Sequence, residues 1–476
     1  MEFRNFIGGE WRETAAASAN INPSDISDVI GYAAESDAAE IDHAVGAAKA
    51  AAVSWSASTP QQRFDVLDFI GSELLARKDD LGHLLAREEG KTLAEGIAET
   101  ARAGQIFKFF AGEALRGGGE AMASVRPGVG VEITRSPVGV VGLITPWNFP
   151  MAIPAWKTAP ALAYGNAVVL KPAELTPGCA HALAEIIARS GLPDGVFNLV
   201  LGKGKVTGAR LVEHRDTDAI SFTGSAETGS QIAATCGRLR KKLQMEMGGK
   251  NPMVVLDDAD LDLAVEACLN GAFYSTGQRC TASSRLIVAG GIHDRFVASL
   301  TGRIAALRVG NALDRATEIG PVVDGRQLDK DLSYLDIAAK EGGQVFGGQT
   351  LQRTTNGFFL APALITETNS GMRINQEEVF GPIASVIRVE DYEEALQVAN
   401  DTPFGLSAGI CTGSLKHATH FKANAEAGMV MVNLPTAGVD YHVPFGGTKG
   451  SSFGGREQGA HAKEFYSKIK TSYTFA

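Results

Sequence analysis

Apolar side chains recur at Phe64, Leu67, Ile70, Leu74 and Leu75, three or four positions apart, directly after Thr59-Pro-Gln-Gln62. That spacing predicts an amphipathic helix with its apolar stripe on a core. Thr59 and Gln62 stand at capping-box spacing, and Pro60 suits a first helical turn. A second helix is expected from about 91 to 115, so that the first 115 residues read as mostly helical. The texture changes between 117 and 139. Glycines 117 to 119 and Pro127-Gly-Val-Gly130 punctuate short runs, and Val129-Gly-Val-Glu-Ile-Thr alternates with a period of two. This pattern predicts a hairpin or ribbon.

From 138 to 246 short apolar runs at 138–144, 167–170, 196–201 and 219–222 alternate with helical stretches near 177–190 and 226–240. Such alternation predicts βαβ units in a parallel, doubly wound sheet. The pattern restarts with the strand Pro252-Met-Val-Val-Leu, a helix over 260–273 and a strand over 286–289. Helices follow near 293–306, 325–341, 391–400 and 414–427, with a late strand at Met429-Val-Met-Val-Asn, which together predict a second α/β domain. The tail, Lys468-Ile-Lys-Thr-Ser-Tyr-Thr-Phe-Ala, is strand-like and is expected to pair with the 117–139 ribbon across a subunit boundary.

With 476 residues, 45% hydrophobic and 21% charged, the chain has the makings of two or three ordered domains. Lys plus Arg number 44 against 54 Asp plus Glu, a net charge of −10 that disfavours a nucleic-acid surface. The five cysteines (Cys179, Cys236, Cys268, Cys280 and Cys411) form no CxxC pair and no cluster with histidine. That argues against a disulfide framework and a metal site. The start, MEFRNFIGGEW, lacks a basic segment followed by an apolar run, so no signal peptide is expected. The apolar stretch 138–155 contains Pro146, Asn148, Pro150 and Pro154 and does not suit a membrane helix. The expectation is a cytoplasmic protein with no membrane partner.

Several segments carry candidate chemistry. Phe222-Thr-Gly-Ser-Ala-Glu-Thr-Gly229 follows a strand and opens a helix, where backbone N–H groups face an anion; taken singly it also reads as a plain turn. Lys171 and Glu174 end a strand, where ligands of open α/β sheets collect, and suit ribose hydroxyls or an ordinary ion pair. Cys280, in Gly277-Gln-Arg-Cys280, has an adjacent cation that would favour its thiolate, whereas the other four cysteines read as small core residues. Glu246, between two methionines, has the apolar surroundings that raise a carboxyl pKa toward neutral pH. Asn148, in the rigid turn Thr145-Pro-Trp-Asn-Phe-Pro150, offers an amide to a developing oxyanion.

Together these segments resemble the aldehyde dehydrogenase superfamily. TPWNFP (145–150), KPAE (171–174), FTGSAETG (222–229), EMGGKNP (246–252), GQRC (277–280), EEVFGP (377–382) and PFGGTKG (444–450) occur in that family's order and spacing. The resemblance implies an α/β fold. A Rossmann-type dinucleotide-binding domain would span 1–116 and 140–246, a catalytic α/β domain 247–458, and an oligomerisation ribbon and tail 117–139 and 459–476. It implies Cys280 as nucleophile, Asn148 with the Cys280 backbone N–H as oxyanion hole, and Glu246 as the base that activates water. Lys157 and Glu457 match a pair that helps relay protons. Cofactor contacts would come from Thr145, Pro146, Trp147, Lys171, Glu174, Gly204, Phe222, Gly224, Ser225, Gly229, Glu378 and Phe380. Glu174 would accept a bond from a ribose 2′-hydroxyl and repel a 2′-phosphate, so NAD is expected over NADP.

Segments 275–285 and 444–459 are most similar to the α-ketoglutaric semialdehyde (2,5-dioxovalerate) dehydrogenases of that superfamily. This implies a short aldehyde bearing a carboxylate. The alternatives are a succinate or glutarate semialdehyde dehydrogenase, a broad-specificity enzyme, and a CoA-acylating one, against which Glu246 argues. A non-catalytic descendant of the fold is a further alternative. Many succinate semialdehyde enzymes carry Arg where this chain has Trp156. Arg279 is the candidate for the substrate carboxylate, with Phe149, Ile153, Trp156 and Phe453 as apolar walls. A homodimer or homotetramer is expected, because exposed strand edges seek partners.

Overall fold

Strands Val140–Ile144, Ala167–Lys171 and Ala219–Thr223 are apolar through most of their length and buried at every position. Such runs form central parallel strands, covered on both faces. In the computed structural model, which describes residues 1–475, they lie at the centre of an eight-stranded sheet. Its order is Ser452–Phe453, Lys242–Glu246, Ala219–Thr223, Val140–Ile144, Ala167–Lys171, Phe197–Leu199, Asn5–Ile7 and Glu10–Arg12. The middle five are parallel. Ile144 stands opposite both Phe222 and Lys171, and Thr223 opposite Glu246, so their carboxyl ends are level.

The second sheet runs Gln344–Gly347, Ala363–Thr368, Ile383–Val389, Ser283–Ala289, Asn251–Val255, Ser407–Cys411 and Met429–Val432. It is parallel except for its first pair. Its core, with Phe273, Leu286 and Phe296 fully buried, is separate from that of the first sheet. Helix Pro60–Ala76 has the capping box read from Thr59 and Gln62, and it packs on helix Leu93–Leu115, which buries Phe107 and Phe110.

The structure departs from the sequence reading in three places. The first 34 residues are not helical: they form short strands, including Ala17–Asn22 and Asp25–Ala34. They pair mostly with one another, Asn5–Ile7 with Glu10–Arg12 and Ala17–Asn22 with Asp25–Ala34, and only Phe6 reaches a remote partner, Leu199; their short runs carry no sustained alternation to announce them. Helix Ala152–Ala163, not among the expected elements, forms fully buried; Pro154 falls in its first turn, where the missing N–H costs nothing, while Pro160 lies in its interior. The tail Ser467–Phe475 pairs with Val129–Pro137 of its own chain, antiparallel, from Ser467 opposite Pro137 to Phe475 opposite Val129. Among the described residues no helix is long and apolar enough to cross a membrane, and no acidic, Cys or His cluster suits a metal.

Candidate active site

The chain leaves the strand Val140–Ile144 toward one side of the first sheet and later returns to build the other side from Ala219–Thr223. Ligand crevices form where strand order reverses in this way. Thr145, Pro146, Trp147 and Asn148 leave one strand end, and Thr223, Gly224 and Ser225 leave the other. Ser225 caps helix Ala226–Leu239, its Oγ accepting the Thr228 N–H at 3.3 Å. A Cβ at Gly229 would meet the Met247 sulfur and force that side chain aside, so glycine here lets the helix lie close to the Glu246 strand.

At the next strand end, Lys171 Nζ lies 3.9 Å from Glu174, whose Oε1 accepts the Gly204 N–H at 2.6 Å. Across the crevice, Glu378 accepts the Gly249 N–H at 2.9 Å. Phe380, held at φ 72°, meets the Trp147 ring edge-on at 5.5 Å. A cavity of about 190 Å³ opens between Trp147, Ser225, Glu246, Glu378 and Phe380 and ends at Cys280. The buried hydroxyls of Thr145 and Thr223 at these strand ends have no partner among the described residues. Orphaned polar groups and a helix N-terminus are the features a dinucleotide's ribose and pyrophosphate would satisfy, so the predicted cofactor residues fit that group.

Cys280 follows three consecutive left-handed residues, Ser275 (φ 51°), Thr276 (φ 56°) and Gly277 (φ 65°). The two non-glycine members cost roughly 1–2 kcal/mol each. They are held from outside: the Ser275 N–H and Oγ donate to Glu95 Oε1 at 2.7 and 2.9 Å, and Thr276 Oγ1 donates to the Gly320 carbonyl at 3.2 Å. The Asn148 amide donates to the Gln278 carbonyl at 2.9 Å, which sets it beside the cysteine with a second N–H to spare. Buried Lys91 donates to the Asn148 carbonyl at 2.6 Å and to Glu99 at 2.7 Å. Glu99 in turn accepts the N–H groups of Met151 (2.9 Å) and Ala152 (3.1 Å). The turn carrying Asn148 is thus clamped to the Leu93–Leu115 helix.

The sequence profile of the aldehyde dehydrogenase family matches residues 11–472. The chain belongs to that family. It is 43% identical to an α-ketoglutaric semialdehyde dehydrogenase of Bacillus subtilis, over 99% of this chain and 98% of that protein. A Haloferax volcanii protein named α-ketoglutarate semialdehyde dehydrogenase is 42% identical over the same shares. A betaine aldehyde dehydrogenase of Staphylococcus aureus, solved in complex with NAD+, superposes with a TM-score of 0.97 at 36% identity, covering 99% of this chain and 95% of that one.

In this aldehyde dehydrogenase Cys280 is not predisposed to be a thiolate. Burial and the nearby carboxylates of Glu378 and Glu246 push the Cys280 thiol up to about 12. The cation expected to help it is turned away, since the Arg279 guanidinium lies 3.3 Å from Glu95 and 3.4 Å from the Asn270 carbonyl. Glu246 is raised well above the ordinary carboxylate range, first by burial and then by the charge of Glu457. Its one hydrogen bond among the described residues comes from Ser452 Oγ at 2.5 Å. Glu457 pairs with buried Lys157, which also donates to Ser221 at 2.7 Å.

A second cavity of this dehydrogenase, about 370 Å³, reaches Cys280 from the opposite side, past Phe149, Trp156, Phe445, Arg102 and Arg279. Phe149, Trp156 and Arg279 lie where the sequence reading put them. Ile153 instead faces the cofactor-side cavity. Phe453 lines neither: it is 59% exposed, on an edge strand opposite Met245. Phe445, eight residues earlier, takes its place, its ring 5.4 Å from that of Trp156. Sequence reasoning also missed Lys91, Glu95, Glu99 and Arg102. The last three recur at helical spacing on one face, a pattern that reads as a solvated stripe until the helix is placed against the site.

Proposed function

We propose that this enzyme oxidises α-ketoglutaric semialdehyde to α-ketoglutarate with NAD+. The observation that carries the reading is the position of Cys280 where two cavities meet. The 370 Å³ side takes an aldehyde, and the 190 Å³ side suits a nicotinamide. Similarity to relatives that carry that substrate in their names supports the choice of aldehyde.

Cys280 Sγ attacks the aldehyde carbon and passes its proton to Glu246 as the C–S bond forms. The free N–H of the Asn148 amide and the Cys280 backbone N–H stabilise the oxyanion. NAD+, when bound, supplies the acceptor for the hydride expelled as that oxyanion collapses, which leaves a thioester on Cys280. Glu246 then takes a proton from water, whose oxygen displaces the Cys280 thiolate and releases the acid. The Glu457–Lys157 pair carries the proton away from Glu246.

Exposed Glu174 beside Lys171 supports NAD+ over NADP+. The apolar residues Met122, Ile469, Tyr473 and Phe475, exposed on the ribbon, support a homodimer or homotetramer. Five free cysteines suit a reducing compartment such as the cytoplasm. The test is a panel of α-ketoglutaric, succinic and glutaric semialdehydes with alkyl aldehydes, followed by NADH absorbance. The highest kcat/KM is expected with α-ketoglutaric semialdehyde, and a uniformly low value with all acidic aldehydes would remove the substrate. Cys280→Ala is expected to abolish turnover and retain NAD+ binding.

A further inference from the structure

We infer that Arg102, together with its neighbour Gln458, forms the subsite that receives the substrate carboxylate, an assignment that rests on the acidic aldehyde proposed above. Four charged side chains line the 370 Å³ cavity: Glu95, Glu99, Arg102 and Arg279. Glu95 is matched by Arg279 at 3.3 Å. Glu99 is matched by Lys91 at 2.7 Å. Among the described residues Arg102 has no carboxylate at ion-pair distance. Its Nη2 donates only to the neutral amide oxygen of Gln458 at 3.2 Å, and its buried Nε has no acceptor. Glu99, one turn earlier on the same helix, and Asp440, on an exposed loop, attract it without closing a bridge. Arg102 is therefore the cation on this wall without an ion-pair partner among the described residues.

Two more buried donors cluster with it. Gln458 Nε2 and the Trp156 indole Nε1 also have no partner among the described residues. A guanidinium on the cavity wall with no ion-pair partner suits an anionic ligand, which an α-keto carboxylate supplies and a plain alkyl aldehyde does not. The guanidinium fork matches a carboxylate in two parallel bonds. Phe149, Trp156 and Phe445 keep water from the pair and so strengthen it. Arg102 stands on helix Leu93–Leu115, anchored by the Thr92–Glu95 capping box, so the fork is held in position before binding.

Arg279, the candidate from sequence, is committed elsewhere. To take a carboxylate it would have to leave Glu95, which also holds the left-handed Ser275 turn. It would then abandon one anion in the cavity as another enters. Arg279 is a positioning residue for the Cys280 loop.

The test compares kcat/KM for α-ketoglutaric semialdehyde with kcat/KM for pentanal, a neutral aldehyde of the same length, in wild type, Arg102→Gln, Arg102→Lys and Arg279→Gln. The acid-to-neutral ratio is expected to fall roughly 10²-fold in Arg102→Gln, through KM for the acid, and to be partly restored in Arg102→Lys. In Arg279→Gln both aldehydes should lose together, leaving the ratio in place. A ratio in Arg102→Gln within about threefold of wild type overturns the assignment, as does a collapse confined to Arg279→Gln. Should Arg102→Gln not fold, Arg102→Lys gives the same reading, since a lost fork must still lower the ratio. A wild-type ratio near one instead overturns the proposed substrate and the assignment with it, so the enzyme showing the flat ratio tells the two failures apart.

Discussion

Lys157 and Glu457, 300 residues apart in sequence, form an ion pair with both side chains out of water. Ser221 Oγ touches both, and one Glu457 oxygen is left without a partner. The pair lies close enough to Glu246 for Glu457 to raise its pKa and Lys157 to lower it. Charge on Glu457 and Lys157 thus bears on the basicity of Glu246.

Glu457→Gln removes the negative charge that hinders ionisation of Glu246. Glu246 should then ionise at lower pH, and the rising limb of kcat against pH should move to lower pH. The same change leaves the Lys157 ammonium buried without its counter-charge, a loss of roughly 3–5 kcal/mol. Denaturant titration and a pH–rate profile check the two effects separately, and an unshifted limb would detach Glu457 from Glu246.

With Glu246 raised above the ordinary carboxylate range, wild-type activity should climb with pH through a point well above about 4.3. Glu246→Gln should stall after one NADH per site, with the acyl group on Cys280 visible by mass spectrometry. Steady-state kcat should fall roughly 10²–10⁴-fold. Full turnover in this variant would take the hydrolytic role away from Glu246.

Glu174 is exposed and, among the described residues, bonded only to the Gly204 N–H and, at 3.9 Å, to Lys171. Glu174→Gln removes the repulsion of a 2′-phosphate, worth about 1–4 kcal/mol at this spacing. The kcat/KM with NADP+ should rise about tenfold or more relative to NAD+. Equal wild-type efficiency with the two cofactors would refute the carboxylate argument.

His181 sits against Phe3 (5.7 Å) and Trp11 (4.6 Å), and burial lowers its pKa to about 4. The unfolded chain takes up this proton near pH 6.5. Between pH 6.5 and 4 the unfolded state therefore binds more protons, and stability drains away as pH falls, by on the order of 1–3 kcal/mol. His181→Phe should flatten the dependence of Tm on pH across that interval. Parallel wild-type and variant curves would show that the imidazole is protonated in the fold.

Local chemistry made much of this enzyme legible. The Thr59–Gln62 cap, the apolar strands of the first sheet and the motifs around Asn148, Ser225, Glu246 and Cys280 all act within a few residues, so their signals survive in one dimension. The surroundings of Arg279 and Phe453 were not legible, because they come from elsewhere in the chain. Glu95, 184 positions away, claims Arg279. Phe453 follows the edge of the Lys242–Glu246 strand outward, leaving Phe445 to fill the cavity.

Sequence by itself determined the kind of chemistry, because a thiol, a carboxyl and an amide in these turns have few other uses together. Tertiary structure decided the surroundings of Cys280, the partner of Arg279 and, among the described residues, the lack of an ion-pair partner for Arg102. Burial and charge pairing depend on which distant side chains arrive at the same place, and no local pattern records that.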